Sequence, residues 1–135
     1  MSERLKELLE TARAAQQNAY APFSRFRVGA ALETEQGSVF SGCNIENASF
    51  GLTICAERVA IGSAVTAGER KFRRLVLVTD SDVPEAPCGA CRQVISEFAP
   101  GLEIVSYSPG GASRSWQAAE LLPEPFFLIA EGQPQ

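Results

Sequence analysis

Residues 75–107 read LVLVTDSDVPEAPCGACRQVISEFAPGLEIVSY. Leu75-Val76-Leu77-Val78 is a short β-branched-rich run of the kind that sits inside a sheet covered on both faces. Pro84 and Pro87 mark a turn, a helix is expected from about Cys88 to Phe98, Pro100-Gly101 ends it, and Glu103 to Tyr107 supplies a further strand. A strand, a helix and a strand in succession place a helix against a sheet, which points to the α/β class.

Reading outward toward the N-terminus, Ala60, Ile61, Ala64 and Val65 indicate a largely buried helix from Cys55 to Ala67, closed by Gly68. Before it lies an irregular stretch, Ile45 to Ile54. Phe26 to Glu33 and Val39 to about Asn44 flank the turn Glu35-Gln36-Gly37-Ser38 and should form an antiparallel hairpin. Leu5, Leu8, Leu9, Ala12, Ala15 and Ala19 recur at helical spacing, so residues from about Ser2 to Asn18 form an amphipathic helix stopped by Pro22. Toward the C-terminus, Trp116 to Leu122 reads as a strand end or a short helix, and Phe126 to Ile129 as a fifth strand. The expected fold is one α/β domain, residues 1–135, with a mixed central sheet sandwiched by helices.

Composition narrows the chemistry. The chain is 45% hydrophobic over 135 residues, enough for a real core in one domain. Its net charge of −4 lacks the basic face by which a protein holds nucleic acid through phosphates. MSERLKELLE at the start is charged and helical in pattern, unlike a signal peptide, and no run approaches the roughly 18 apolar residues of a membrane span. No membrane association and a cytoplasmic location are the expectations. The sequence contains no histidine, which removes Ser–His–Asp and Cys–His catalysis and every imidazole-ligated metal site. Acid–base work near neutrality must then fall to a carboxylate or a metal-activated water.

Four cysteines remain, Cys43, Cys55, Cys88 and Cys91. Cys88 and Cys91 have the spacing at which two thiols at a helix start can share one ion, and Cys55 opens another predicted helix. Three protein ligands with an open fourth position make a catalytic zinc site, whereas four closed ligands make a structural one. Two other readings stand beside it: a structural site using all four cysteines, which leaves Glu57 without a task, and a redox pair at Cys88 and Cys91, which leaves Cys55 unexplained. Cys43 is read as a small buried residue at a strand end.

Cys55-Ala56-Glu57 followed by Pro87-Cys88-Gly89-Ala90-Cys91 matches the zinc deaminase signature, a His or Cys, then x-Glu, then Pro-Cys-x-x-Cys. From Ala21-Pro22 through Leu121-Leu122-Pro123 the chain resembles the small cytidine deaminases with three-cysteine zinc sites, most closely at Gly42-Cys43-Asn44-Ile45-Glu46-Asn47-Ala48 and at Pro87 to Gln93. The resemblance implies one zinc ion (Zn2+) per chain on Cys55, Cys88 and Cys91, with water at the fourth position. It also implies that Glu57 shuttles protons while water adds at C4 of the cytosine ring, N3 is protonated and ammonia leaves. Zinc with three thiolates is net negative, which weakens its power to acidify water. Two helix N-termini, each roughly +0.5 charge, together with Arg58 bonding to ligand sulfur, would offset that excess.

The same resemblance assigns Asn44 and Glu46 to the ribose, Phe26 to the base pocket, and the Ala56 N–H to the base carbonyl. An amide and a carboxylate are also what a pair of sugar hydroxyls requires on chemical grounds. Phe126, with Phe127 beside it, aligns with an aromatic that family members lend to a neighbouring subunit, and a homotetramer is implied. Phe50 stands where relatives often carry tyrosine. Cytidine and 2′-deoxycytidine are the implied substrates, converted to the uridines in pyrimidine salvage. Within the enzyme class, deaminases of other cytosine compounds such as blasticidin S share the zinc motif, but Asn44-Ile45-Glu46-Asn47 favours a free nucleoside over them and over a polynucleotide.

Overall fold

The computed structural model describes residues 1–128. Along them run α1 (Glu3–Gln17), β1 (Val28–Thr34), β2 (Val39–Cys43), a 3₁₀ turn (Phe50–Leu52), α2 (Ala56–Thr66), β3 (Phe72–Thr79), α3 (Gly89–Phe98), β4 (Glu103–Tyr107), β5 (Ser113–Gln117) and α4 (Ala118–Leu121). The strands form a mixed sheet in the order β2-β1-β3-β4-β5, in which only the β3–β4 pair is parallel. The connections dictate this pattern. The tight turn between β1 and β2 can only produce an antiparallel pair, while the passage through α3 carries the chain back to start β4 alongside β3.

Alternation along the strands sorts the core into two layers. Ala31 of β1, Val76 and Val78 of β3 and Val105 of β4 pack under Leu8, Leu9 and Ala12 of α1. Ala30, Leu32, Leu75, Leu77 and Ile104 point the other way, against Ala60, Ile61 and Ala64 of α2 and Ile95 of α3. Each buried Leu, Ile or Val stabilises this three-layer sandwich by about 1.5–3 kcal/mol. Because both faces of β1 and β3 are covered, their inner residues form near-continuous buried runs.

Two glycines set how close the helices lie. A Cβ at Gly29 would sit 2.0 Å from the Ala12 carbonyl oxygen of α1, and one at Gly42 would sit 2.4 Å from the Ala56 carbonyl oxygen of α2. Each helix backbone therefore rests directly on a strand. At the other end of α1, Ser2 caps the helix by accepting from the Leu5 N–H, and Arg4 pairs at 2.7 Å with Glu33, a buried carboxylate of β1.

The hairpin, the first three helices and β4 fall where the sequence predicts. The fifth strand does not. It is Ser113–Gln117, and Phe126 to Leu128 are irregular and exposed, with Ile129 outside the described residues. The Trp116–Leu122 segment is both of its predicted alternatives in turn, the end of β5 and then α4. Phe26 also lies outside β1, whose pairing begins at Val28. Among the described residues no helix is long and apolar enough to cross a membrane.

Candidate metal centre and substrate pocket

Cys55 is the N-cap of α2 and Cys88 the N-cap of α3, both with extended backbone, and Cys91 lies in the first turn of α3. Both helices lie on the same face of the sheet, so their N-termini bring the three thiols together. The sulfurs all lie within 4.8 Å of one another, and Cys55 Sγ and Cys88 Sγ are 3.7 Å apart. Tetrahedral zinc with Zn–S bonds of about 2.3 Å requires neighbouring sulfurs about 3.8 Å apart, so the donor set fits this ion in both chemistry and spacing. Cys43, the last residue of β2, is not among the clustered thiols.

Charge at the cluster is unevenly held. The Cys55 thiol is drawn well below the ordinary range, first by a hydrogen bond from Cys91 and then by Arg58, while that same bond and burial push Cys91 up. Arg58 Nη2 lies 3.5 Å from Cys55 Sγ and 3.4 Å from the Thr53 carbonyl oxygen, the position expected of a residue that offsets thiolate charge.

Glu57 follows Cys55 by two residues in the first turn of α2 and is 5% exposed. Burial pushes its carboxyl up to about 7. A buried carboxylic acid poised there can both accept and donate a proton at neutral pH. Ala56, fully buried between the two, is the first helical residue, so its N–H has no acceptor within the helix and remains available to a ligand.

A cavity of about 290 Å³ opens over these groups, with Phe26, Asn44, Glu46, Ala56 and Glu57 in its wall beside Cys55 and Cys88. The residues predicted to contact substrate therefore do converge, but two of them carry structural duties that the sequence conceals. Asn44 Oδ1 accepts from the Val28 N–H at 2.9 Å and Asn44 Nδ2 donates to the Phe26 carbonyl at 2.8 Å, so this buried amide clamps the segment bearing the pocket aromatic. Glu46 Oε1 accepts from the Phe23 and Ser24 N–H groups at 2.9 and 3.1 Å, and Oε2 accepts from the Ser24 hydroxyl. These bonds, with the Ser24 hydroxyl foremost, hold the Glu46 carboxyl below its usual range. Phe26 is 37% exposed, a half-covered wall rather than a core residue.

Phe126 stands apart from this cavity. Its backbone is pinned to α3 by a two-way amide pair, Gln93 Nε2 to Phe126 O at 2.7 Å and Phe126 N to Gln93 Oε1 at 3.1 Å, while the residue as a whole is 70% exposed. Phe50 likewise faces outward and packs edge-on against Phe23, with ring centroids 5.9 Å apart. Sequence reasoning missed Gln93 and Ser24. No spacing rule marks either, because each acts through contacts with residues distant in the chain.

Three clustered thiols rather than four, set beside a buried carboxyl at the wall of a small-molecule cavity, are the equipment of a catalytic zinc centre. The class is that of zinc-dependent hydrolases. Residues 2–107 match the family model described as the cytidine and deoxycytidylate deaminase zinc-binding region. The chain is 43% identical over 123 residues to a cytidine deaminase of Sporosarcina psychrophila, covering 90% of each, and 43% identical over 135 residues to a probable cytidine deaminase of Dictyostelium discoideum, covering 97% of this chain and 91% of that one. The crystal structure of a cytidine deaminase from Burkholderia pseudomallei superposes with a TM-score of 0.88 at 50% identity, covering 93% of this chain and all of the other. The chain belongs to the cytidine deaminase family, whose members are hydrolases acting on carbon–nitrogen bonds.

Proposed function

We propose that this chain hydrolytically deaminates cytidine and 2′-deoxycytidine, with Cys55, Cys88 and Cys91 as the zinc ligands and Glu57 as the proton carrier. The reading is carried by one observation: the clustered thiols and the buried Glu57 share a cavity wall with Asn44 and Glu46, groups suited to sugar hydroxyls. Zinc bound there supplies the Lewis acid that makes water a nucleophile near neutrality. The protein residues then divide the remaining tasks. Glu57 takes a proton from the attacking water and passes it to N3 of the ring. It then takes the remaining proton of the hydroxyl now on C4 and gives it to the amino group, which leaves as ammonia while the carbonyl forms. The Ala56 N–H donates to the base carbonyl oxygen and Phe26 covers the ring. Asn44 and Glu46 meet the ribose with the hydrogen-bonding capacity that their structural bonds leave spare. Arg58 keeps charge from accumulating on Cys55.

The chain acts as one catalytic domain, and a homotetramer is the assembly we infer. Support comes from exposed apolar side chains: Phe50 is 75% exposed, Leu52 66% and Phe126 70%, large groups that a lone chain leaves in water. Phe126, held out by Gln93, is the residue we assign to a neighbouring subunit's pocket. Four free thiols suit the reducing cytoplasm.

The decisive test is to purify the protein, count zinc per chain and follow the loss of cytidine absorbance. About one zinc per chain with rapid turnover of both nucleosides is the expected result. Zinc without turnover would reduce the chain to a binding module, and absent metal would remove the hydrolytic mechanism. Sedimentation of the same sample gives the subunit number.

A further inference from the structure

We infer that Ser24 is a positioning residue for substrate, fixing the one acceptor position of Glu46 that a sugar hydroxyl can use. The inference rests on the reading given above, in which the Glu46 carboxylate faces the ribose. A carboxylate oxygen has two lone-pair positions. Both positions on Oε1 are taken, by the N–H groups of Phe23 and Ser24 at 2.9 and 3.1 Å. On Oε2 the Ser24 hydroxyl takes one, leaving a single acceptor direction free.

The direction of the Ser24 hydroxyl is itself determined. Its oxygen accepts the Phe26 N–H at 3.0 Å, so its own hydrogen is turned toward Glu46. That closure requires the intervening Arg25 to adopt a left-handed conformation, φ 59°, which a side-chain-bearing residue rarely takes and which surrounding bonds must hold in place. Arg25 N donates to the Ala21 carbonyl at 2.9 Å, fixing the turn from its other side. Ser24 is also part of the cavity wall and is exposed, so substitution there leaves the core untouched. Without its hydroxyl, Glu46 Oε2 loses the bond that sets its rotation and the free lone pair is no longer aimed.

The experiment uses the zinc-loaded full chain and compares Ser24→Ala, Ser24→Thr and Glu46→Gln on cytidine and on 2′,3′-dideoxycytidine, which has the same base but lacks the sugar hydroxyls concerned. Ser24→Ala is expected to raise KM for cytidine about tenfold, the loss typical of a hydrogen bond to a charged group, with kcat within about twofold. KM for the dideoxy analogue stays unchanged, and Ser24→Thr, which retains the hydroxyl, restores cytidine KM. An unchanged cytidine KM in Ser24→Ala, or an equal rise for both substrates, overturns the inference. If it fails while Glu46→Gln still abolishes the preference for cytidine over the analogue, the sugar-facing reading of Glu46 survives. If Glu46→Gln leaves that preference intact, both fall together.

Discussion

Arg58 Nη2 lies 3.5 Å from the Sγ of Cys55, so the residue after the buried acid reaches back to the thiol at the N-cap position of its own helix. The contact places a fixed positive charge beside the sulfur that is drawn below the ordinary thiol range. Arg58→Gln should therefore keep the fold but leave excess negative charge at the metal. Activity is expected to fall about 10–100-fold, the usual loss when a residue supporting a metal ligand is removed. Zinc analysis beside the rate assay checks this, and unchanged activity with unchanged zinc would remove Arg58 from the mechanism.

Glu57→Gln separates proton transfer from metal binding. The amide is close in size and can fill the same buried position, so the three sulfurs keep their places. It cannot carry a proton. Zinc content should match the parent protein while kcat drops at least 10²–10⁴-fold. A fully active Glu57→Gln protein contradicts the proton-carrier role.

The metal centre was legible in the sequence because both halves of it are local. Cys55-Ala56-Glu57 and Pro87 to Cys91 each open a helix and are short contiguous motifs, and it is their match to the zinc deaminase signature, not a capping rule, that places Cys55 at the cap and Glu57 in the first turn. The buried strands were legible for the same reason, since Leu75 to Val78 must be covered wherever it lies. What stayed hidden depends on distant partners. β5 is Ser-Arg-Ser-Trp-Gln, an edge strand with one buried side chain, Trp116, and Arg114 stacked on its ring at 5.0 Å, so no apolar alternation announces it. Phe126 to Leu128 has the apolar content of a strand, yet the structure leaves it irregular and exposed, tied to Gln93. Asn44 was read for its chemistry toward a ligand. Its bonds to Phe26 and Val28 span 18 and 16 positions and cannot be seen without the fold.

Those bonds distinguish Asn44 from an amide that only greets substrate. Asn44→Ala loses both backbone contacts in a buried site and should destabilise the protein by about 2 kcal/mol or more, in addition to raising KM. Asn44→Asp still offers an acceptor to a sugar hydroxyl, but it presents a carboxylate oxygen to the Phe26 carbonyl in place of the Nδ2 donor. It should be no more stable than the alanine variant. Denaturant unfolding of both variants decides the point: parent-like stability in either would show the clamp to be unimportant.

Gly42 and Gly29 provide a matched pair, one under the catalytic helix and one under the helix across the sheet. Gly42→Ala pushes a methyl against the Ala56 carbonyl oxygen and must displace α2, which carries Cys55 and Glu57. Gly29→Ala collides with Ala12 of α1, away from the thiols. Each should cost about 3 kcal/mol or more, at the severe end of overpacking, because the obstacle is helix backbone. Zinc content per folded chain and kcat should fall much further in Gly42→Ala. Equal effects of the two variants on zinc would show that α2 does not transmit its position to the metal centre.

Removing zinc exposes the unequal acidity of Cys55 and Cys91. With Cys91 donating to it and Arg58 beside it, Cys55 is held below the ordinary thiol range and is already a thiolate at neutral pH. The thiolate is the alkylating nucleophile. In chelator-treated protein Cys55 should therefore react with iodoacetamide ahead of Cys43 and Cys91, at a rate nearly flat between about pH 6.5 and 8, where an ordinary thiol with a pKa near 8.5 gains more than tenfold. Cys91, buried and pushed up, should be the slowest. Restoring zinc should protect Cys55, because the metal takes the lone pair that attacks the reagent. Peptide mapping after timed labelling reads all of this, and a Cys55 rate that climbs with pH like a free thiol's would show that neither Arg58 nor Cys91 supports its charge.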